Sequence, residues 1–352
     1  MASEKETFGL TGPTFLTSVD WNNSNHRRSI AASLVQGVYI LERDRHQNRQ
    51  PSQALAPLWW ESFHFMLHRV LVDDHDLSIF GAIYEFKFPP PHYAYPGLNP
   101  PRFVLAFRGP INNSSSRAED IKLNLHCMIN NLESSSRFRI GMEMTQEIVA
   151  KFGVANVWIT GHSIGSSIGL LIGRHMTKKM GIHLESYLFN PPFASPPIDK
   201  IKNEKVKMGL RMANSVITAG LAVAANGGKM PTKDTVNDPF LVLSTWVPYL
   251  FINSGDVVCS EYVGYFEHRE KMEQIGAGKI GRLATKHSIG SIVSSARGKD
   301  SEAAHLIPSA YLTINSSSSM GLMESHGIHQ WWRQDLELKY KLYQYKENRC
   351  MH

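Results

Sequence analysis

The ten residues Asn156-Val157-Trp158-Ile159-Thr160-Gly161-His162-Ser163-Ile164-Gly165 constrain the chain more than any others. The first half is apolar, β-branched and short, the pattern of a strand buried on both faces. Small residues then turn the chain, and 166–180 reads as a helix. A strand that passes through a tight turn into a helix is the building unit of a parallel sheet.

The same rhythm runs through the rest of the sequence. Segments 78–86, 102–107, 187–190, 249–253 and 311–315 read as further strands. Helical patterns cover about 29–70, about 119–152 with a break near Ser134-Ser135-Ser136, and about 324–345. Pro89-Pro90-Pro91 and Pro100-Pro101 bracket a loop that regular structure cannot cross. The expectation is an α/β protein: a mostly parallel central sheet flanked by helices over residues 78–352, with a mainly helical region, 1–77, packed on that core. Segment 195–245 interrupts the alternation with Pro196-Pro197, a lysine-rich stretch, an apolar helix near 208–225 and Gly227-Gly228. It reads as a lid-like or cap-like insertion. Its helix is read as packed on the core, with peripheral membrane contact as the alternative. Segment 276–305 reads as loop-rich.

Composition narrows the class. The chain has 352 residues, 42% of them hydrophobic, which is ample for a large core. The formal charge is +6 with a pI near 9.1, and no Lys/Arg-dense run is interleaved with aromatics, so nucleic acid is not an expected partner. Three widely spaced cysteines, Cys127, Cys259 and Cys350, argue against a disulfide scaffold or a zinc site. The N-terminus is acidic and lacks a signal-peptide core, and no apolar run reaches the length of a membrane span. An intracellular, cytoplasmic location is expected. Oligomeric state is not legible.

Gly161-His162-Ser163-Ile164-Gly165 carries the chemistry. A serine hydroxyl is a poor nucleophile unless it is exposed, fixed and beside a base. The G-x-S-x-G turn between strand and helix provides the fixed position, and the context on both sides is present. The bland alternative is a turn that only joins strand to helix. The backbone N–H of Ile164, at the helix N-terminus, would face a developing oxyanion. An acid and a histidine should follow in chain order. Asp256 fits the first, just past strand 249–253, where catalytic groups collect in such sheets. Its alternative is a capping role. For the histidine, His326 is favoured, with His329 and His305 as alternatives. His268 and His287 read as surface or loop residues.

With these residues in view, the chain resembles the class 3 lipases, which are α/β-hydrolases. The elbow 161–165 is similar to that family's G-H-S-L-G. Phe107-Arg108-Gly109 resembles its F-R-G segment, Asp256 in Asn-Ser-Gly-Asp-Val-Val its acid, and His326 before Trp331-Trp332 its histidine. The chain also looks like a plant lipase-like group sometimes labelled GDSL esterases, but it contains no Gly-Asp-Ser-Leu. The resemblance implies an α/β-hydrolase fold and hydrolysis of a lipid or other apolar acyl ester, with Ser163, His326 and Asp256 as the triad and no metal or organic cofactor. After F-R-G the family usually carries Thr or Ser, whose N–H joins the oxyanion hole. Pro110 stands there, without an N–H. Either Ile111 donates in its stead, or one donor is missing. Two other functions stay open: a catalytically weak lipase-like binding or signalling protein, and an acyltransferase on the same triad.

Overall fold

Among the described residues, eight strands form a single sheet in which every strand lies beside its neighbour in sequence. They are β1 (Phe65–Val72), β2 (Ile79–Phe86), β3 (Phe103–Phe107), β4 (Val157–His162), β5 (Glu185–Phe189), β6 (Tyr249–Asn253), β7 (Ala310–Asn315) and β8 (Leu338–Tyr343). Strands β3 to β7 run parallel, and β1, β2 and β8 add antiparallel edges. The structure is a computed structural model, and it describes residues 4–87, 100–111, 132–193, 239–275, 306–317 and 321–345. It has the expected α/β-hydrolase fold, a mostly parallel sheet with helices on both faces.

Alternation along the strands divides the core. Val104 and Ala106 of β3, Trp158 of β4, and Tyr187 and Phe189 of β5 face helix α1 (Ser24–His46). Phe103, Leu105 and Phe107, with Val157 and Ile159, face helices α2 (Ser136–Phe152) and α3 (Ile164–Met180). Further along that side, Leu188, Leu250 and Ile252 pack on helix α4 (Glu261–Gln274) through Tyr262 and Phe266. Helix α1 begins where Asn23 Oδ1 accepts the Asn25 N–H. It is buried from Arg28 to Ile40 because sheet, aromatic residues and the C-terminal segment surround it. Arg28 Nε donates to the Trp331 carbonyl at 2.7 Å and ties the C-terminal segment to the helix.

Two readings of the sequence are corrected. The helical pattern assigned to 29–70 ends at His46, and Phe65–Val72 is β1, zipped to β2 by register pairs from Phe65↔Phe86 to Val72↔Ile79. The tail near 324–345 is not one helix. A short helix, Leu322–His326, leads into a 3₁₀ turn, Ile328–Trp332, and then β8. In β8, Leu338-Lys339-Tyr340-Lys341-Leu342-Tyr343 sets lysines among apolar residues on an edge strand, where lysine discourages pairing with another chain. The insertion at 195–245 lies outside the described residues up to 238, and its described end holds the short helix Pro239–Leu243. Segment 276–305 and the alternative base His305 also lie outside them. Among the described residues, no helix is long and apolar enough to cross a membrane.

Candidate active site

The turn from β4 into α3 is built by its glycines. A Cβ on Gly161 would collide with the Gly165 carbonyl, and one on Gly165 would collide with the carbonyl of Phe107 at the end of β3. Strand, turn and helix can approach this closely only because both positions lack side chains. Ser163 sits between them at φ 56°, ψ −126°, a conformation rare for an L-residue that costs about 1–3 kcal/mol and is found at functional sites. Its N–H donates to the Phe189 carbonyl of β5 at 3.0 Å, which helps hold the strained residue.

Three of the predicted residues meet in a hydrogen-bonded series. Ser163 Oγ lies 3.1 Å from His326 Nε2, and His326 Nδ1 lies 2.8 Å from Asp256 Oδ2. Asp256 is 1% exposed and Ser163 2%. A carboxylate only accepts, so Nδ1 carries the proton and Nε2 turns its lone pair toward the serine hydroxyl. Burial pushes the Asp256 carboxyl up, but the adjacent His326 imidazole, the Val258 N–H and the Asn190 amide outweigh it and hold the carboxyl below its ordinary value. Asp256 therefore stays an anion, and the series has the geometry for a serine deprotonated by a carboxylate-oriented imidazole. His329, the alternative base, is in a different setting. Its ring packs on Gly327, and burial first, then Lys5, lowers it to about 4.

The candidate oxyanion donors are less evenly defined. Ile164 is the first residue of α3, directly after Ser163, where helix N–H groups have no partner within the helix. Gly109 packs on the serine, since a Cβ there would stand 2.8 Å from Ser163 Cβ. Arg108 fixes that segment from a buried position. Its Nε donates to the Ile79 carbonyl at 2.5 Å and its Nη1 to the Gly109 carbonyl at 2.8 Å. The Gly109 N–H donates to Tyr39 Oη at 2.7 Å and is thereby engaged. Ile111, half-buried against the α1 side of the core, follows Pro110.

Several residues at this site are not legible as site residues in the sequence. Asn190, just past β5, donates from Nδ2 to Asp256 Oδ2 at 2.7 Å. Cys259 donates its thiol to the same oxygen at 3.1 Å, and burial, with the Asp256 charge, raises that thiol well above its ordinary value, so it stays protonated. His162 Nδ1 lies 2.8 Å from Tyr39 Oη and its Nε2 lies 2.6 Å from the His326 carbonyl. Because that carbonyl only accepts, Nε2 carries the proton and Tyr39 donates to Nδ1. Burial, reinforced by His326, lowers His162 to about 3 and keeps it neutral. Burial raises the Tyr39 phenol to about 12, so it keeps its proton. A signal for Asn190 does exist: an apolar strand that stops at asparagine before Pro191-Pro192. Among the described residues, no group of three or more His, Cys, Asp or Glu is arranged to hold a metal.

Comparison with known proteins adds a relative. An Arabidopsis thaliana protein named GDSL esterase/lipase is 48% identical over 354 residues, covering 98% of this chain and 100% of its own. No family model matches the chain. A solved lipase from Rhizopus microsporus var. chinensis is 12% identical, with a TM-score of 0.35 and 69% of each chain covered.

Proposed function

The chain belongs to the family of the Arabidopsis thaliana GDSL esterase/lipase, and on that premise we propose that it is a serine carboxylic-ester hydrolase acting on a lipid or another apolar acyl ester. The observation that carries this reading is the series Ser163 Oγ, His326 Nε2, His326 Nδ1, Asp256 Oδ2, with the serine on a strained strand-to-helix turn. Ser163 attacks the acyl carbonyl while His326 takes its proton, then returns it to the leaving alcohol. Asp256 orients the imidazole and stabilises its charged form. Water, activated by the same histidine, releases the acid. The Ile164 N–H holds the oxyanion, with Ile111 as the second donor. Within the family we read the chain as class 3 lipase-like. The elbow 161–165, Phe107-Arg108-Gly109 and the order Ser163, Asp256, His326 support that reading, and Pro110 departs from it.

The test is hydrolysis of a short-chain p-nitrophenyl ester by the wild type and by Ser163→Ala. Turnover that disappears in the variant supports the mechanism, and turnover that survives unchanged rejects it. One observation favours a second reading, a lipase-like binding protein of weak or no activity. Pro110 has no N–H and Gly109 spends its own on Tyr39, and losing one oxyanion donor costs about 100- to 1000-fold in rate. A folded wild type that hydrolyses no ester and resists a fluorophosphonate would favour it.

A further inference from the structure

Strands β5, β6 and β7 lie side by side and each stops at an asparagine: Asn190 directly after β5, Asn253 at the end of β6 and Asn315 at the end of β7. All three are 0% exposed, and so is Gln330. Four buried carboxamides gathered at the C-terminal ends of three strands are expensive unless every donor and acceptor is used.

Here each is used, and each orientation is dictated by a partner that can only donate or only accept. Trp331 Nε1 donates to Asn190 Oδ1 at 2.6 Å, which fixes the Asn190 amide. Its Nδ2 then donates to Asp256 Oδ2 and, at 3.0 Å, to the Ser325 carbonyl. Gln330 Nε2 donates to the Ser325 carbonyl at 2.6 Å and the Gly327 carbonyl at 3.0 Å. Gln330 Oε1 accepts from Asn253 Nδ2 at 2.6 Å and Asn315 Nδ2 at 3.0 Å. His162 Nε2 takes the carbonyl between them, that of His326. Three consecutive carbonyls, those of Ser325, His326 and Gly327, are thus each held by a buried side-chain donor. The helix that carries His326 has only five residues and is too short to hold itself.

We infer that Asn190 and Gln330, with His162, are positioning residues that clamp the His326 segment so that its imidazole bridges Asp256 and Ser163. The inference rests on the reading of Ser163, His326 and Asp256 as the triad. Stability alone does not account for the network, because apolar groups of the same shape would be about as stable as the paired amides. Asn190 sits at φ 47°, in the left-handed region that asparagine adopts more readily than other side chains except glycine.

The test uses two variants that spare the backbone. Asn190→Gly fits the left-handed conformation and deletes the amide. Gln330→Met keeps the length and, having no N–H, offers no proton to either carbonyl. In folded samples with a near-UV spectrum like the wild type's, kcat on the p-nitrophenyl ester should fall about 10- to 100-fold with KM within about twofold, the signature of a displaced catalytic group. The Nδ1–H resonance of ¹⁵N-labelled His326 should weaken or shift, as a change in stability alone would not cause in a folded protein. If either variant fails to fold, Trp331→Phe keeps the aromatic packing and frees the Asn190 amide, with an expected kcat loss of about 3- to 10-fold. Folded variants that retain both kcat and the resonance overturn the clamp. A wild type that neither hydrolyses the ester nor reacts at Ser163 overturns the hydrolase reading alone. The resonance then decides the clamp by itself, supported if the variants lose it and rejected if they keep it.

Discussion

Ser163 and His326 face each other across 3.1 Å and are held in opposite ways. The serine turn is local: it occupies five contiguous residues, and its two glycines allow the close approach in which a Cβ on Gly161 would meet Gly165 and one on Gly165 would meet Phe107. The histidine segment is a five-residue helix and a 3₁₀ turn, too short to hold themselves. Its position comes from Gln330, whose own amide is set by Asn253 and Asn315, and from Asn190 and His162, 135 and 164 residues from the carbonyls they hold. The first arrangement is written in a pentapeptide, and the second exists only once four strands are aligned.

On the proposed mechanism, the largest effects come from breaking the two halves at Ser163 and at the carboxylate that orients His326. Ser163→Ala should lower kcat on the p-nitrophenyl ester by about 10⁶-fold, the scale seen when a nucleophile is removed from such a triad. A loss under tenfold would mean another nucleophile. Asp256→Asn should cost about 10⁴-fold, because the amide can donate to His326 Nδ1 and so favours the wrong tautomer. A rate within threefold of wild type would separate Asp256 from the chemistry.

The local half breaks in stability instead. Gly165→Ala places a methyl group against the Phe107 carbonyl, backbone that cannot step aside. Chemical denaturation should show a loss of about 3 kcal/mol. An unchanged midpoint would mean that the turn is looser than its glycines require.

That asymmetry also explains what the sequence revealed. The elbow, the strands of the parallel sheet and the place of Asp256 are legible because each depends on a short pattern: a glycine turn, a buried β-branched run, a polar residue past a strand end. His326 could be favoured over His329 but not fixed, since only the fold decides which imidazole reaches Ser163. Gln330 looked like a residue of a helical tail, and the amide clamp stayed hidden because hydrogen bonds between distant buried side chains leave no periodicity. Strand β8 is hidden for a related reason: Trp331, Trp332 and Leu336 before it and Tyr340 within it suit a helix by spacing alone, and pairing with β7 overrides that spacing.

A pH-dependent effect concerns the tie between the two halves. His162 is neutral in the folded protein down to about pH 3, whereas in the unfolded chain it takes up a proton near pH 6.5. The unfolded state therefore binds more protons between those values. Stability should fall on acidification through that window, by about 1.4 kcal/mol per pH unit from this group, which adds no slope above pH 7. His329, held near 4 by burial, adds to the same slope. Unfolding free energies from denaturant titrations across pH 7 to 4 should show His162→Asn with the shallower dependence, and equal slopes would remove His162 from the linkage. The smallest effect is expected at Cys259. A thiol is a weak donor, and Asp256 Oδ2 keeps His326 and Asn190 without it. Cys259→Ala should change kcat less than about fivefold, a loss near 1 kcal/mol, and a collapse in rate would show that the thiol matters more than its chemistry implies.

The most direct test of the central claim is to treat the folded protein with a fluorophosphonate probe and map the adduct by mass spectrometry, in wild type and in His326→Ala. The expected result is modification at Ser163 in the wild type and none in the variant, because the serine depends on that imidazole for its reactivity. A wild type that stays unmodified, or a His326→Ala variant that reacts at Ser163 as fast as the wild type, would contradict it.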